Sequence, residues 1–142
     1  MTNKKEMDFF LKSGINPDEP MFAISVVAQS LQVHQRTLRI YDEEGLLSPK
    51  RSEKNRRLYS VNDLEKGKAI QYLAKEMGIN LNGIRIIFNL LDKQGIVVND
   101  YVETISKIAN EINITPAIQK ENREKFSKRG RKPNKEKQTF DI

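Results

Sequence analysis

The chain of 142 residues contains no cysteine. Disulfides, thiolate metal sites and cysteine nucleophiles are therefore excluded, and the composition fits a reducing cytosol. No apolar run approaches the roughly 18 residues of a membrane span. The first residues, MTNKKEMDFFLKSG, lack the apolar core and the small-residue cleavage site of a secretory signal. We therefore expect a cytoplasmic protein that makes no membrane contact.

Catalytic and metal-binding patterns are also scarce. His34 is the single histidine, and without cysteine or an acidic cluster at ligand spacing it cannot form a zinc site by itself. The patterns GxSxG, Walker A and GxGxxG are absent. The acidic run at residues 42–44 falls at the end of a predicted helix, where it faces water. The sequence predicts a protein that is not an enzyme and that has no metal or cofactor.

Basic charge is concentrated in two places. Hydrophobic residues make up 37% of the chain, so part of its length is expected to lie outside the core. The net charge is +6. Residues 119–137 hold nine Lys or Arg against three Glu, so the rest of the chain is balanced overall, but within it residues 49–57 hold five Lys or Arg against one Glu. These two basic segments indicate a polyanionic partner.

The most informative stretch reads ISVVAQSLQVHQRTLRIYDEEGLLSPKRSEKNRRLYS. Ser25 is placed to cap a first helix over residues 26–31, and a turn follows at residues 32–33. A second helix is expected over residues 35–44, and Gly45 ends it. Two unrelated amphipathic helices are the alternative to a helix-turn-helix. The apolar residues that such a unit would bury between its helices are Val27, Leu31, Val33, Leu38 and Tyr41.

A basic β-hairpin is predicted directly after these helices, over residues 48–60. SEKN supplies the turn, in which Asn55 takes a left-handed conformation. Five like charges within nine residues repel one another unless an anion lies across them, and DNA phosphates do so. A solvated hairpin is the alternative. The predicted phosphate-binding residues of this wing are Lys50, Arg51, Lys54, Arg56 and Arg57.

The second helix carries side chains that suit the major groove. Arginine pairs with guanine and glutamine with adenine, whereas Thr and Tyr hydroxyls more often reach phosphates. In the alternative, Arg36 and Arg39 pair with acidic residues of their own helix, as Arg39 would with Glu43 four residues on. The predicted recognition residues are His34, Gln35, Arg36, Thr37, Arg39 and Tyr41.

The C-terminal half continues as helices. Ser60 and Asp63 form a capping-box pattern, Gly78 ends that helix, and Asn80 caps the next. A further helix over residues 100–112 carries an apolar stripe that we interpret as a dimer seam, with satellite core as the alternative. The stripe consists of Val102, Ile105, Ile108, Ala109 and Ile112.

The basic tail contains an RGRKP motif that resembles the core of an AT-hook. Its Arg129, Arg131 and Lys132 would enter the minor groove of A·T-rich DNA, or would attract phosphates nonspecifically. The expected organisation is a flexible arm over residues 1–20 and a DNA-binding domain over residues 21–92. A helical dimerisation region over residues 93–126 and a basic disordered tail over residues 127–142 follow.

The strings TLRIYDEEGLLSPKR, RRLYSVNDLEK and MGINLNGIRIIFNLL resemble the MerR family of bacterial winged-helix regulators, over about half the chain. VHQRTLRIYDEEGLLSP and GINLNGIR are most similar to its HspR type, the repressors of chaperone operons. The resemblance implies a homodimer on an inverted repeat, with the chaperone DnaK as corepressor. It also implies that Thr37, Arg39 and Tyr41 lie on the recognition helix and that Arg57 and Tyr59 lie on the wing. The family usually has Gly-Tyr where this chain has Asn55-Arg56, so its sequence preference is expected to differ.

The sequence thus predicts a mainly α fold with a small β-hairpin wing, a winged helix-turn-helix that binds double-stranded DNA in the nucleoid, and the resemblance implies that it represses transcription. Three alternatives stay open. The first is a regulator of the same fold that answers to a small ligand or a protein and acts on other genes. The second is an adaptor whose helices dock a protein. The third is an architectural binder of A·T-rich DNA that acts through its tail.

Overall fold

The computed structural model describes residues 12–114 together with residues 121, 124 and 125. Within residues 12–114 the fold is mainly helical, with a small antiparallel sheet, which confirms the predicted fold class. The elements are β1 (Phe22–Ala23), α1 (Ile24–Leu31), α2 (Gln35–Glu43), β2 (Lys50–Arg51), β3 (Arg57–Tyr59), α3 (Val61–Gln71), α4 (Leu81–Lys93) and α5 (Tyr101–Glu111). A π-helical turn at Tyr72–Glu76 extends α3, and a 3₁₀ turn at Val98–Asp100 precedes α5.

Helices α1 and α2 form the predicted helix-turn-helix. The chain leaves α1 through Gln32, whose φ of 55° is left-handed, and α2 begins three residues later. Gly45, with φ of 68°, ends the second helix as predicted. The prediction that Ser25 caps α1 is wrong, because the helix begins at Ile24 and its N-cap residue is Ala23. Pairing of the preceding strand, rather than a side-chain cap, fixes where this helix starts.

The wing is a three-stranded sheet rather than a bare hairpin. β2 and β3 pair antiparallel, with Lys50 opposite Leu58, and the turn is closed by a 2.8 Å hydrogen bond from the Asn55 amide to the Ser52 carbonyl. Asn55 has φ of 61°, which confirms the predicted left-handed turn residue. β1 adds to the other edge of β3, with Phe22 opposite Tyr59. The sheet is therefore joined covalently to the first residue of α1.

Helix α3 lies at the centre of the domain. Ser60 and Asp63 form the predicted capping box, with hydrogen bonds of 3.0 and 2.9 Å. Asn80 caps α4 by accepting a hydrogen bond from the Gly83 amide at 2.8 Å, also as predicted. The largest fully buried side chains come from α1 and α2, the wing and the segment before it, α3 with its π-helical turn, and α4, so these elements share one core: Tyr59, Leu38, Leu47, Ile70, Leu73, Ile84, Val27 and Val61.

The apolar stripe of α5 is divided between two surroundings. Ala109 is buried, and Val102 and Ile105 pack against the core of their own chain. Tyr101, at the start of the helix, places its ring 5.1 Å from the ring of Phe88. The rest of the stripe is open to solvent at Ile108 and Ile112, which are 47% and 63% exposed.

The end of the predicted N-terminal arm is attached to the domain. The backbone amide of Asn62 donates to the Pro17 carbonyl at 3.0 Å, and its side chain donates to Asp18 at 2.7 Å. These two hydrogen bonds join the end of the predicted arm to the first turn of α3. Residues 1–11, and the predicted tail with Arg129, Arg131 and Lys132, lie outside the described residues.

Candidate nucleic-acid interface

Helix α2 presents polar and basic side chains at its first turns. His34, Arg36 and Arg39 are exposed, and Gln35 and Thr37 are half-buried. His34 occupies the N-cap position, but its side chain makes no capping hydrogen bond. Arg39 donates from Nη2 to Oε1 of Gln35 at 3.2 Å. Helix α2 therefore carries an exposed guanidinium and an amide side by side, groups of the kinds that contact DNA phosphates and base edges.

The arginines of α2 do not pair with acidic residues of their helix. In the described part of the chain, neither Arg36 nor Arg39 forms an ion pair, so the Arg39–Glu43 pair considered in the sequence is not formed. Both arginines instead line an open groove of about 500 Å³. The groove is also lined by Ala28, Val33, His34 and Gln35. These two positive charges are thus available to an anionic ligand.

Tyr41 does not belong to this exposed surface. Its side chain is 3% exposed, and its hydroxyl accepts a 2.7 Å hydrogen bond from Nε2 of Gln71 on α3. Burial raises the pKa of Tyr41 to about 12, and the hydrogen bond from Gln71 opposes that rise. The prediction that Tyr41 contacts DNA is therefore corrected. Tyr41 packs between the helix-turn-helix and α3, the core position that its apolar spacing also indicated.

Tyr59 is likewise buried. It is 0% exposed, and its hydroxyl has no hydrogen-bond partner among the described residues. Burial raises the pKa of Tyr59 to about 12, and the charge of nearby Arg57 acts in the opposite direction. The expectation from the family resemblance that Tyr59 belongs to the DNA-binding surface of the wing is corrected. The side chain belongs to the buried core of the domain.

The basic residues of the wing fall into two groups. Lys50, Lys54 and Arg56 are exposed and form no ion pair within residues 12–114. Arg51 and Arg57 both contact the carboxylate of Asp42 on α2. The Nε atom of Arg57 lies 2.8 Å from Oδ2 of Asp42, and Nη2 of Arg51 lies 3.3 Å from the same oxygen. The wing is therefore fastened to the helix that it flanks.

The sequence predicts that the carboxylate of Asp42 faces water, and it does not connect this residue to the wing. A signal was available, because a carboxylate in the last turn of a helix faces the negative end of the helix dipole and needs a positive partner. Glu44, two residues further along, also lies at the negative end of the helix dipole. Its carboxylate accepts a 3.1 Å hydrogen bond from Arg85 on α4. The acidic run thus connects α2 to two neighbouring elements.

No group of three or more His, Asp or Glu side chains that could hold a metal ion occurs among the described residues. In the same part of the chain, no helix is long and apolar enough to cross a bilayer.

An exposed helix with arginine and glutamine, beside a basic hairpin fastened to it, defines a winged helix-turn-helix DNA-binding protein. The family profile described as MerR HTH family regulatory protein matches residues 22–91. The regulator GlnR of Bacillus anthracis, described as an HTH-type transcriptional regulator, is 36% identical over 90 residues, which are 62% of this chain and 69% of that protein. The chain belongs to the MerR family.

Two further similarities accompany this match. A putative heat shock protein HspR of Streptomyces coelicolor is 43% identical over 76 residues, or 54% of this chain. The match spans half the length of that relative. A solved structure of a MerR-family transcriptional regulator from Bacillus cereus is 28% identical, with a TM-score of 0.45, and the match covers 79% of this chain and 87% of that chain.

Membership of the family fixes the general activity. The chain is a DNA-binding transcriptional regulator, and the prediction that it is not an enzyme is confirmed, because the family and these relatives are transcription regulators. Regulators of this family typically act as dimers.

Proposed function

We propose that this chain is a dimeric repressor that binds an inverted repeat upstream of heat-shock and chaperone genes. The observation that carries sequence-specific binding is that Arg36 and Arg39 of α2 form no ion pair within residues 12–114 and lie beside a wing held to the same helix. The heat-shock assignment is supported by the 43% identity to the HspR relative.

The proposed division of work follows the exposure of the side chains. Gln35 and Arg36, at the start of α2, read base edges, and Thr37 and Arg39 contact the flanking phosphates. The exposed Lys50, Lys54 and Arg56 bind phosphates from the wing, and so do Arg51 and Arg57. An arginine has five N–H donors, so Arg57 keeps donors for phosphate after its Nε has bonded to Asp42.

The proposed dimer contact includes the exposed part of the α5 stripe. Ile108 and Ile112 leave apolar surface in water, as does Val97, which is 59% exposed. A second copy of the chain would cover these side chains. DnaK as corepressor is proposed on the family resemblance alone, and purified DnaK is expected to raise the affinity of the chain for its operator.

Affinity capture of sheared genomic DNA, followed by sequencing, tests the proposal. The full chain is used at near-physiological salt, with Arg36→Ala as the matched variant. Sharp peaks over an inverted repeat upstream of chaperone genes, lost or broadened with the variant, are expected. Diffuse enrichment that is identical for both proteins would contradict sequence-specific reading by α2.

A second candidate is a regulator of the same fold that controls other genes, as an activator or as a repressor. It is favoured by the GlnR match, which extends over 90 residues against 76 for HspR. Sharp peaks that lie away from chaperone genes would select it. Deleting residues 127–142 separates both candidates from an architectural A·T-rich binder, because a sequence-specific regulator keeps its preferred sites without the tail.

A further inference from the structure

The contact between Asp42 and the wing joins the two parts of the DNA-binding surface. Asp42 lies in the last turn of α2 and is 17% exposed, and one of its carboxylate oxygens, Oδ2, contacts both wing arginines. Arg51 also donates from Nη1 to the Asn55 carbonyl at 3.2 Å, which connects the same contact to the turn of the hairpin. A single carboxylate thus fixes the helix, both strands and the turn relative to one another.

The strand register shows why the wing needs this carboxylate. Arg51 and Arg57 are direct partners in the pairing of β2 with β3. Like charges directly opposite each other in an antiparallel pair are destabilising. The Asp42 carboxylate contacts both guanidinium groups and offsets their repulsion. Without it, these arginines would tend to separate, and the wing would lose its side-chain hydrogen bonds to α2.

We propose that Asp42 is a positioning residue for DNA recognition: it holds the wing at the distance and angle from α2 that lets both parts engage one DNA site together. The inference rests on the proposed sequence-specific function. It assigns to Asp42 no contact with DNA, since the residue acts through Arg51 and Arg57. An acidic side chain within a basic surface thereby contributes to specificity rather than opposing binding.

Two effects of removing the carboxylate are separable by experiment. Loss of one negative charge reduces repulsion from any duplex, which raises affinity for all sequences. Loss of the fixed wing lowers affinity for the preferred site alone, because other duplexes do not require helix and wing in one register. The ratio of the two affinities therefore reports positioning, and the general charge effect cancels from it.

The chain offers a matched control in the adjacent residue. Glu43 lies on the same helix, is exposed, and forms no ion pair within residues 12–114. Glu43→Gln removes the same charge as Asp42→Asn without touching the wing. Asp42→Glu is the conservative variant, because it keeps a carboxylate within reach of the two arginines.

The experiment measures binding to two labelled duplexes by fluorescence anisotropy. One carries the sequence most enriched by the wild-type chain from genomic DNA, and the other is a scramble of the same composition. We expect Asp42→Asn to lower the ratio of affinities about tenfold, the scale of one hydrogen bond to a charged group. Glu43→Gln leaves the ratio unchanged, and Asp42→Glu restores most of it.

An unchanged ratio in Asp42→Asn, or an equal fall in Glu43→Gln, would overturn the role of Asp42 while leaving the proposed function intact. A wild-type chain that does not prefer its enriched duplex would overturn the proposed function, and the inference with it. Thermal unfolding is recorded for every variant, and Asp42→Ser takes the place of Asp42→Asn if the amide does not fold.

Discussion

Tyr41 and Tyr59 are both buried, yet opposite effects on stability are expected when each loses its hydroxyl. The side chain of Tyr41 lies in the core, and its hydroxyl accepts the 2.7 Å hydrogen bond from Gln71. Tyr59 is equally buried, but its hydroxyl has no partner among the described residues. Replacing each tyrosine by phenylalanine removes the same atom from two surroundings. The change therefore isolates the value of the hydroxyl at each site.

The expected magnitudes follow from what each hydroxyl leaves behind. Tyr41→Phe leaves the buried amide nitrogen of Gln71 without its acceptor, and Oε1 of the same side chain already has no partner among the described residues. Leaving a buried donor unsatisfied costs about 1–3 kcal/mol, which corresponds to a fall in Tm on the order of 10 °C for a body of about 100 residues. Tyr59→Phe removes a polar atom that gains nothing in the core. Its free energy of unfolding is expected to be unchanged or to rise by about 1 kcal/mol.

Urea denaturation followed by circular dichroism, with DNA affinity measured at a temperature where every variant is folded, checks both expectations. Neither variant should change affinity for the preferred duplex, because neither hydroxyl reaches the surface. Weaker DNA binding by a folded Tyr59→Phe variant, or a Tyr41→Phe variant as stable as the wild type, would contradict the roles given to these two side chains.

Further predictions concern charge, capping and pH. Arg57→Ala should weaken binding to all duplexes and lower the salt slope by about 1, and an unchanged slope would show that this residue does not meet phosphate. Arg36→Ala should relax specificity at one base position by about 1–3 kcal/mol, as seen by selection from a randomised duplex. Ser60→Ala removes the acceptor of the Asp63 amide and should cost about 1 kcal/mol in urea denaturation, with no change in sequence preference. Burial raises the pKa of Tyr41 and of Tyr59 from 10.0 to about 12, so the stability these two side chains contribute is intact below pH 10 and is lost as the pH rises toward 12. The difference in tyrosine absorbance between the wild type and each of Tyr41→Phe and Tyr59→Phe, followed with pH, should therefore show that these two rings ionise together with unfolding, and their ionisation at pH 10 in a folded chain would contradict the burial.

Local signals in the sequence predicted several helix ends and the turn of the wing, although the Ser25 cap of α1 was wrong. Ser60 with Asp63, Asn80, Gly45 and Asn55 each satisfy a requirement of the few residues around them, a cap or a positive φ. Such requirements are written in adjacent positions of the chain. They can be read without knowing the fold.

Contacts between distant residues could not be predicted in the same way. Asp42 meets Arg51 and Arg57 across 9 and 15 positions, whereas the pairing considered in the sequence was local to α2. The addition of β1 to the wing depends on a two-residue strand that carries no periodic signal of its own. Folding decides such pairs, because several partners of suitable charge or shape are equally compatible with the sequence.

The candidate site was predicted in outline and corrected in its aromatic members. Arg36 and Arg39 emerge on an exposed face, in keeping with their charge. Tyr41 and Tyr59 suit either a phosphate or a core, since a phenol ring is apolar and its hydroxyl is polar. The packing of α3 behind the helix-turn-helix and of β1 beside the wing resolves that choice in favour of the core.

The central claim is that α2 and the wing engage one DNA site together, and a chain with no cysteine allows this to be measured directly. Lys54→Cys places a single thiol in the exposed turn of the wing, where an iron chelate that cleaves DNA can be attached. On the most enriched duplex, we expect two clusters of cuts, related by the symmetry of the inverted repeat and lying beside the bases protected by α2. Cuts spread evenly along the duplex, or no cuts in a complex that still protects those bases, would contradict it.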